Sequence, residues 1–376
     1  MRNCLHAESG NNVRNHGEMD ELAGVDFSQW IVMYQSGARS MKALVFFSAA
    51  LAFVLGNASA QDMAEPISPE PTTTRMETLV VSGNQPGPGM WRVSNGDHDL
   101  WILGTLSPLP KRMQWESGKV ERLVARSQEL LAQPSVTVTA DVGFFGRLAL
   151  IPTALRARNN PDGKPLQEHV SDALYQRWLV LKKRYLGRNK SVEKRRPIMA
   201  ATTLYEEALD DNALSEKNRV WPVLRKSAKR NKVPITVPMV TIEIANPKAT
   251  LKEFAKTTLD DEACFAATLE RLETDMGNMK ARANAWAVGD VPALIALPHP
   301  DERSVCGDAV LATAIAEKQG MADLREQLRV RWLQAADAAL LKNETTVAVM
   351  PINSLLGDDG YLVALGERGY SVVAPE

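Results

Sequence analysis

Two loops carry the side chains best placed by type to do chemistry. The first, Gly104-Thr105-Leu106-Ser107-Pro108, sets a serine just past an apolar run; the second sets Asn353, Ser354, Gly357, Asp358 and Asp359 past another. A serine nucleophile needs a histidine or lysine base within hydrogen-bond reach and donors for an oxyanion. No G-x-S-x-G elbow surrounds Ser107, and Pro108 beside it reads more simply as a rigid loop. Asp358-Asp359 suits a cation, and equally a surface turn that caps a helix. Glycines 104, 357, 360 and 369 read as tight backbone geometry. His98, His169 and His299 stand in unrelated contexts, without an H-E-x-x-H or a Cys/His cluster. A zinc site needs three or four converging ligands, so neither a metal nor another cofactor is expected. No phosphate-cradling G-x-x-x-x-G-K-[ST] occurs either.

The elements that must position these loops follow from periodicity. WRV and HDLWIL flank Asn95-Gly96, a pair suited to a tight hairpin, so Trp91 to Pro110 reads as two paired strands emptying into GTLSPLP. The chain closes with strand TTVAVM, loop PINSLLGDDG, helix YLVALGERG and strand YSVVAP. Ser117 precedes a helix whose apolar face runs Val120, Leu123, Val124, Leu130 and Leu131. VTVTADV alternates as a strand does. Residues 144 to 231 are helical in pattern, with the stripe Leu174, Trp178, Leu181, Tyr185 and Ser171 as an N-cap. PITVPMVTIEI returns to strand character, and Asp260 to Val288 reads as one long helical stretch. The basic run LKKRYLGRNKSVEKRR fits a solvated helix end and loop better than an anionic partner. Strands alternating with helices predict an α/β (α+β) domain: a mixed central sheet flanked by helices, with a large helical insertion.

These units resemble the TraB/PrgY/GumN family over Trp91 to Pro375. The strand ending in G-T-x-x, the later x-L-P, Arg196-Pro197 before a helix, Ala285-Trp286-Ala287-Val288-Gly289-Asp290, and the C-terminal L-x-G-x-x-G carry the likeness. The resemblance implies metal-dependent hydrolysis in active relatives such as the Tiki proteases, through two G-x-x-H histidines and a glutamate after the first helix. Here Ser107 closes the first motif, Asn353 or Ser354 the second, and Gln133 stands near the glutamate position. All three are neutral. The expectation is a catalytically inactive member that keeps the cleft, around Gly104, Thr105, Ser107, Asn353, Ser354, Gly357 and Asp358, as a binding or structural module. The alternative is a hydrolase of altered activity in the same cleft. Arg329 and Arg331 lie near an Arg-Asn pair of relatives, and no role is assigned to them.

A net charge of -1 gives no argument for nucleic acid or an anionic membrane. The ligand expected is a protein or small molecule of unknown identity. Met41 opens MKALVFFSAALAFVLGNASA, whose lysine, apolar run and Ala58-Ser59-Ala60 have the layout of a secretory signal peptide at 41-60. Residues 1-40 then read as an upstream extension and 61-90 as a Pro-rich linker to a domain over 91-376. Membrane contact is expected only through an uncleaved signal peptide, and the location is periplasmic or secreted. In that oxidising setting Cys264 and Cys306 are expected to pair.

Overall fold

The computed structural model describes residues 87 to 375, apart from 141, 299 and 301. The signal segment, METLVVSG and His299 lie outside the described residues.

Apolar residues on both faces mark the strands at the centre of the domain. β1 (Met90–Asn95) and β2 (His98–Thr105) form the expected hairpin. Asn95 pairs with His98, so the two-residue turn is Gly96-Asp97, one residue later than Asn95-Gly96. Gly96 takes a φ of 63° there, which a glycine tolerates at the first turn position without a side-chain clash. Two-residue β3 (Leu109–Pro110) follows. The helix Gly118–Arg126 buries Val120, Leu123 and Val124 and stops before Ser127. Leu130 and Leu131 are therefore not on its face; they belong to β4 (Glu129–Leu131). β5 (Ser135–Thr139), β6 (Leu214–Ser215), β7 (Ile235–Thr236), β8 (Met239–Glu243), β9 (Thr345–Pro351) and β10 (Ser371–Val373) complete the strands.

The main sheet runs β10-β1-β2-β9-β4-β7. β2, β9, β4 and β7 are mutually parallel and β1 runs against its neighbours, so the sheet is mixed. β9 is buried at five consecutive residues. Helices covering both faces of a parallel sheet account for that unbroken apolar run. Among the described residues, β5 pairs with β8 alone. PITVPMVTIEI is thus two strands in different sheets, since Pro238 offers no N–H to continue the first.

A second apolar core, including Leu166, Trp178, Leu181, Leu204, Phe265 and Leu269, belongs to the helical insertion. Trp178 and Leu181 of the expected stripe are buried in it, and Leu174 and Tyr185 pack at its edge. Ser171 occupies the cap position of Asp172–Tyr185 without a side-chain capping bond. The stretch after Asp260 divides into Glu262–Thr274 and Met276–Val288 at Asp275, where Arg282 forms a buried pair with the carboxylate. Cys264 and Cys306 are joined in a disulfide. The helix Pro197–Asp211 is tied to its neighbours by Arg196, 1% exposed, whose guanidinium donates to the carbonyls of Ala157, Thr257 and Phe254. Among the described residues, no helix is long and apolar enough to cross a membrane.

Candidate functional site

Parallel pairing brings three separated segments to one sheet edge. Thr105, the last residue of β2, pairs with Pro351, the last of β9, and β9 pairs on its other side with β4. The residues expected at the lost ligand positions therefore leave the carboxyl ends of adjacent strands: Ser107 after β2, Asn353 and Ser354 after β9, Gln133 after β4. With strands about 4.8 Å apart, the two outer exits are separated by roughly 10 Å. Gln133 and Asn353 are exposed, and Ser107 and Ser354 are half-buried.

Backbone geometry fixes each exit. Gly104 has no room for a side chain: a Cβ there would stand 2.8 Å from the Trp91 ring and 3.3 Å from Ile352. The carbonyl of Gly104 accepts the indole N–H of Trp286 at 2.8 Å. Just past the end of β4, the carbonyl of Ala132 accepts the indole N–H of Trp332 at 3.0 Å. Both tryptophans are buried, so each places its bond where water does not compete. Ser107 and Pro108 are joined by a cis peptide. β3 then pairs with β6 of the insertion. On the β9 side, Ile352–Leu355 forms one helical turn. Gly357 turns the chain at a φ of 90°, and a Cβ on Gly360 would meet the carbonyl oxygen of Leu355 at 2.4 Å.

The side chains around these exits do not form a catalytic constellation among the described residues. Ser107 Oγ accepts a long bond from Arg303 at 3.5 Å, and the same guanidinium pairs with Glu216 at 2.5 Å. An arginine is a donor throughout the physiological range and does not serve as the base a nucleophilic serine needs. His98 is at the opposite end of β2, bonded to the carbonyl of Leu340 at 2.9 Å, and His169 faces Asp162 in the insertion at 3.0 Å. Asp358 is exposed in the turn after β9. No three His, Cys, Asp or Glu residues converge among the described residues. The donors supplied by the strand exits, a hydroxyl, an amide and a second amide or hydroxyl, do not fit the nitrogen and carboxylate set that zinc prefers.

Two contributors escaped sequence reasoning, and a third carries no assigned role in it. Arg303 comes from the helix Glu302–Leu311 and Glu216 from the loop after β6, with no local signal linking either to Ser107. Arg329 was noticed without a role. Its guanidinium donates to the carbonyl of Asp359 at 2.6 Å and lies over the Tyr361 ring at 5.3 Å, fixing the loop after β9. Tyr361 in turn meets Trp332 edge-on at 5.0 Å, and burial raises its phenol above the usual range. Arg329, Tyr361 and Trp332 thus link the exits of β9 and β4.

The chain matches the model of the TraB/PrgY/gumN family over residues 89–374. No curated protein and no solved structure matches.

Proposed function

Because the chain belongs to the TraB/PrgY/gumN family, we propose that it is a secreted or periplasmic member that has kept the family cleft for binding and does not run metal-dependent proteolysis. The observation that carries this reading is the chemistry at the three strand exits: Ser107, Gln133 and Asn353 or Ser354 stand where the resemblance places two histidines and a glutamate. Metal catalysis lowers the pKa of bound water and polarises the scissile carbonyl. Affinity for the ion rests on imidazole and carboxylate donors, which hydroxyls and amides replace poorly. Loss of one ligand leaves a site that water completes; loss of all three leaves no charge to hold the ion.

Metal analysis of protein purified without added metal, followed by peptide and ester panels with and without chelator, tests the proposal. Less than 0.1 equivalent of zinc, manganese or cobalt is expected, with no chelator-sensitive turnover. Stoichiometric metal with chelator-sensitive turnover abolished by Ser107→Ala would overturn it and favour a hydrolase with altered ligands. The location rests on the lysine, apolar run and Ala58-Ser59-Ala60 of segment 41-60. N-terminal sequencing of protein from a periplasmic extract is expected to begin at Gln61, and an intact N-terminus would remove the argument for export.

A further inference from the structure

The pairing of β4 with β7 does not stop at the strand exits. The N–H of Ala132 donates to the carbonyl of Thr236 at 2.8 Å, and past Pro134 the N–H of Ser135 donates to the carbonyl of Pro238 at 2.9 Å. β5 and β8 are therefore the same two chain segments, paired again in the same parallel sense as a ribbon beyond the main sheet. β9, the other neighbour of β4, has no such continuation. Leu131 pairs with Ala348, β9 ends three residues on at Pro351, and the chain turns into Ile352–Leu355. The edge of β5 that faces away from β8 consequently lies on the side where β9 ends, that of Asn353 and Ser354.

That edge carries backbone groups with nothing to pair with. The N–H of Ser135 and the carbonyl of Thr139, which accepts from the Ile244 N–H at 2.8 Å, are turned to β8, so alternation turns the N–H and carbonyl groups of Val136 and Val138 the other way. Among the described residues no hydrogen bond reaches those groups. Exposed edges are ordinarily blunted by charge, by proline or by a covering element, because unpaired groups recruit another strand. Ser135–Thr139 reads SVTVT, with no charge, no proline and three β-branched residues that favour pairing. β8, in contrast, ends on Glu243 and has the helix Leu324–Lys342 packed against it.

The chain itself supplies a strand within reach. Residues 76–83, METLVVSG, precede the described residues and set Thr78, Leu79, Val80 and Val81 in succession, a β-forming run. Gly87, where the described chain begins, is fixed at the strand-exit edge. Its N–H donates to the carbonyl of Ala287 at 2.9 Å, and a Cβ on it would stand 2.6 Å from the carbonyl oxygen of Glu116, just before the helix Gly118–Arg126 that leads to β4. Residues 84–86 connect it to Gly83 and span about 13 Å when extended. A strand added to the open edge of β5 takes the column of β9, two strand spacings or about 10 Å from β1. From the open edge and this reach, we propose that residues 76–83 add to β5 as an antiparallel strand lying across the exit of β9. The short connection sets the direction, since Gly83 has to return to the main sheet beside Ser135. It also favours this occupant over a free strand, because a short tether holds a segment at an effective concentration on the order of millimolar. The pairing stands on its own. Its consequence, a cleft filled by the chain's own segment until a ligand displaces it, rests on the reading of the exits as a binding site.

The test is amide hydrogen exchange on the purified full chain, read by mass spectrometry on peptides covering 76–83 and 135–139. Val80→Pro/Val81→Pro removes two successive N–H groups, one of which faces β5 in either register. Val138→Pro removes an outward donor from β5 and leaves its ladder with β8 intact, a place where an edge strand tolerates proline. Thr73→Pro, outside the segment, is the control. Exchange slowed about tenfold or more in both peptides of the parent, restored to the fast rate by either pairing variant and unchanged in the control, is the expected result. Fast exchange of 76–83 in the parent, or slow exchange that neither variant relieves, overturns the proposal. Slow exchange of 135–139 that disappears on dilution, in step with a dimer dissociating in sedimentation, assigns the edge to a second copy and overturns it equally. None of these readouts depends on metal, ligand or turnover, so failure here is distinguishable from failure of the reading for the cleft.

Discussion

The indole N–H of Trp286 donates to the carbonyl of Gly104 at 2.8 Å, across 182 residues of sequence. Gly104 is where β2 opens into the cleft loop, and its carbonyl is buried away from water. The bond therefore joins the A-W-x-x-G-D segment directly to the strand exit.

Replacing Trp286 by phenylalanine keeps most of the apolar volume and removes the donor. The stranded carbonyl is expected to cost about 1–3 kcal/mol, read as a lower midpoint in urea unfolding with an unchanged slope. Trp332→Phe, which strands Ala132, is expected to cost a similar amount. A change below about 0.5 kcal/mol in both variants would show that these bonds do not hold the exits.

Asp275 accepts from Arg282 at 2.8 and 2.5 Å, and both side chains are at most 5% exposed. Asp275→Ala leaves a buried arginine without its counter-charge, with an expected loss of about 3–5 kcal/mol. The double variant Asp275→Ala/Arg282→Met is expected to recover a large part of that loss by removing the orphaned charge. A double variant as unstable as the single one would mean that the cause is packing or the second pairing of Asp275, with buried Arg271 at 3.8 Å, and not the Arg282 charge.

The Cys264–Cys306 bridge links residues 42 apart in sequence. A loop of that length is expected to contribute roughly 4 kcal/mol by restricting the unfolded chain. Reductant should lower the thermal midpoint, while Cys264→Ala/Cys306→Ala should unfold at the same temperature with or without reductant. Two thiols alkylated in denatured, unreduced protein would refute the bridge.

Burial raises the Asp261 carboxyl above its ordinary range, against the opposing effect of the bond it accepts from the Ile198 N–H at 2.8 Å and of the Arg196 charge. A raised folded-state pKa means that the folded chain holds this proton more tightly than the unfolded one. Its stabilising effect is full below about pH 3.9, the unfolded value, and is lost as pH rises through the raised value. Asp261→Asn keeps an acceptor and removes the titration. The variant is expected to gain stability relative to the parent as pH rises from 3.5 to 7, measured by denaturant unfolding across that range. A relative stability independent of pH would refute the shift.

The sequence by itself determined what local pattern and chemical type can determine. Asn95-Gly96 between two apolar runs specifies a hairpin, the apolar run TTVAVM specifies a strand, and Ser107, Gln133, Asn353 and Ser354 are neutral whatever the fold. Local pattern did not separate the helix Gly118–Arg126 from β4, because Leu130 and Leu131 continue its 3.6-residue spacing and only pairing with β9 and β7 draws them into the sheet. The same limit hid the break of the long helical stretch at Asp275, whose cause is an ion pair with a residue two turns on. Tertiary structure alone decided that the three exits share one edge, since that follows from the order β2-β9-β4 and the strands come from distant parts of the chain. It also decided where Glu193 goes: in sequence it lies among cations, and the packing of Asp172–Tyr185 gives its carboxylate to Tyr175, Trp178 and Lys182.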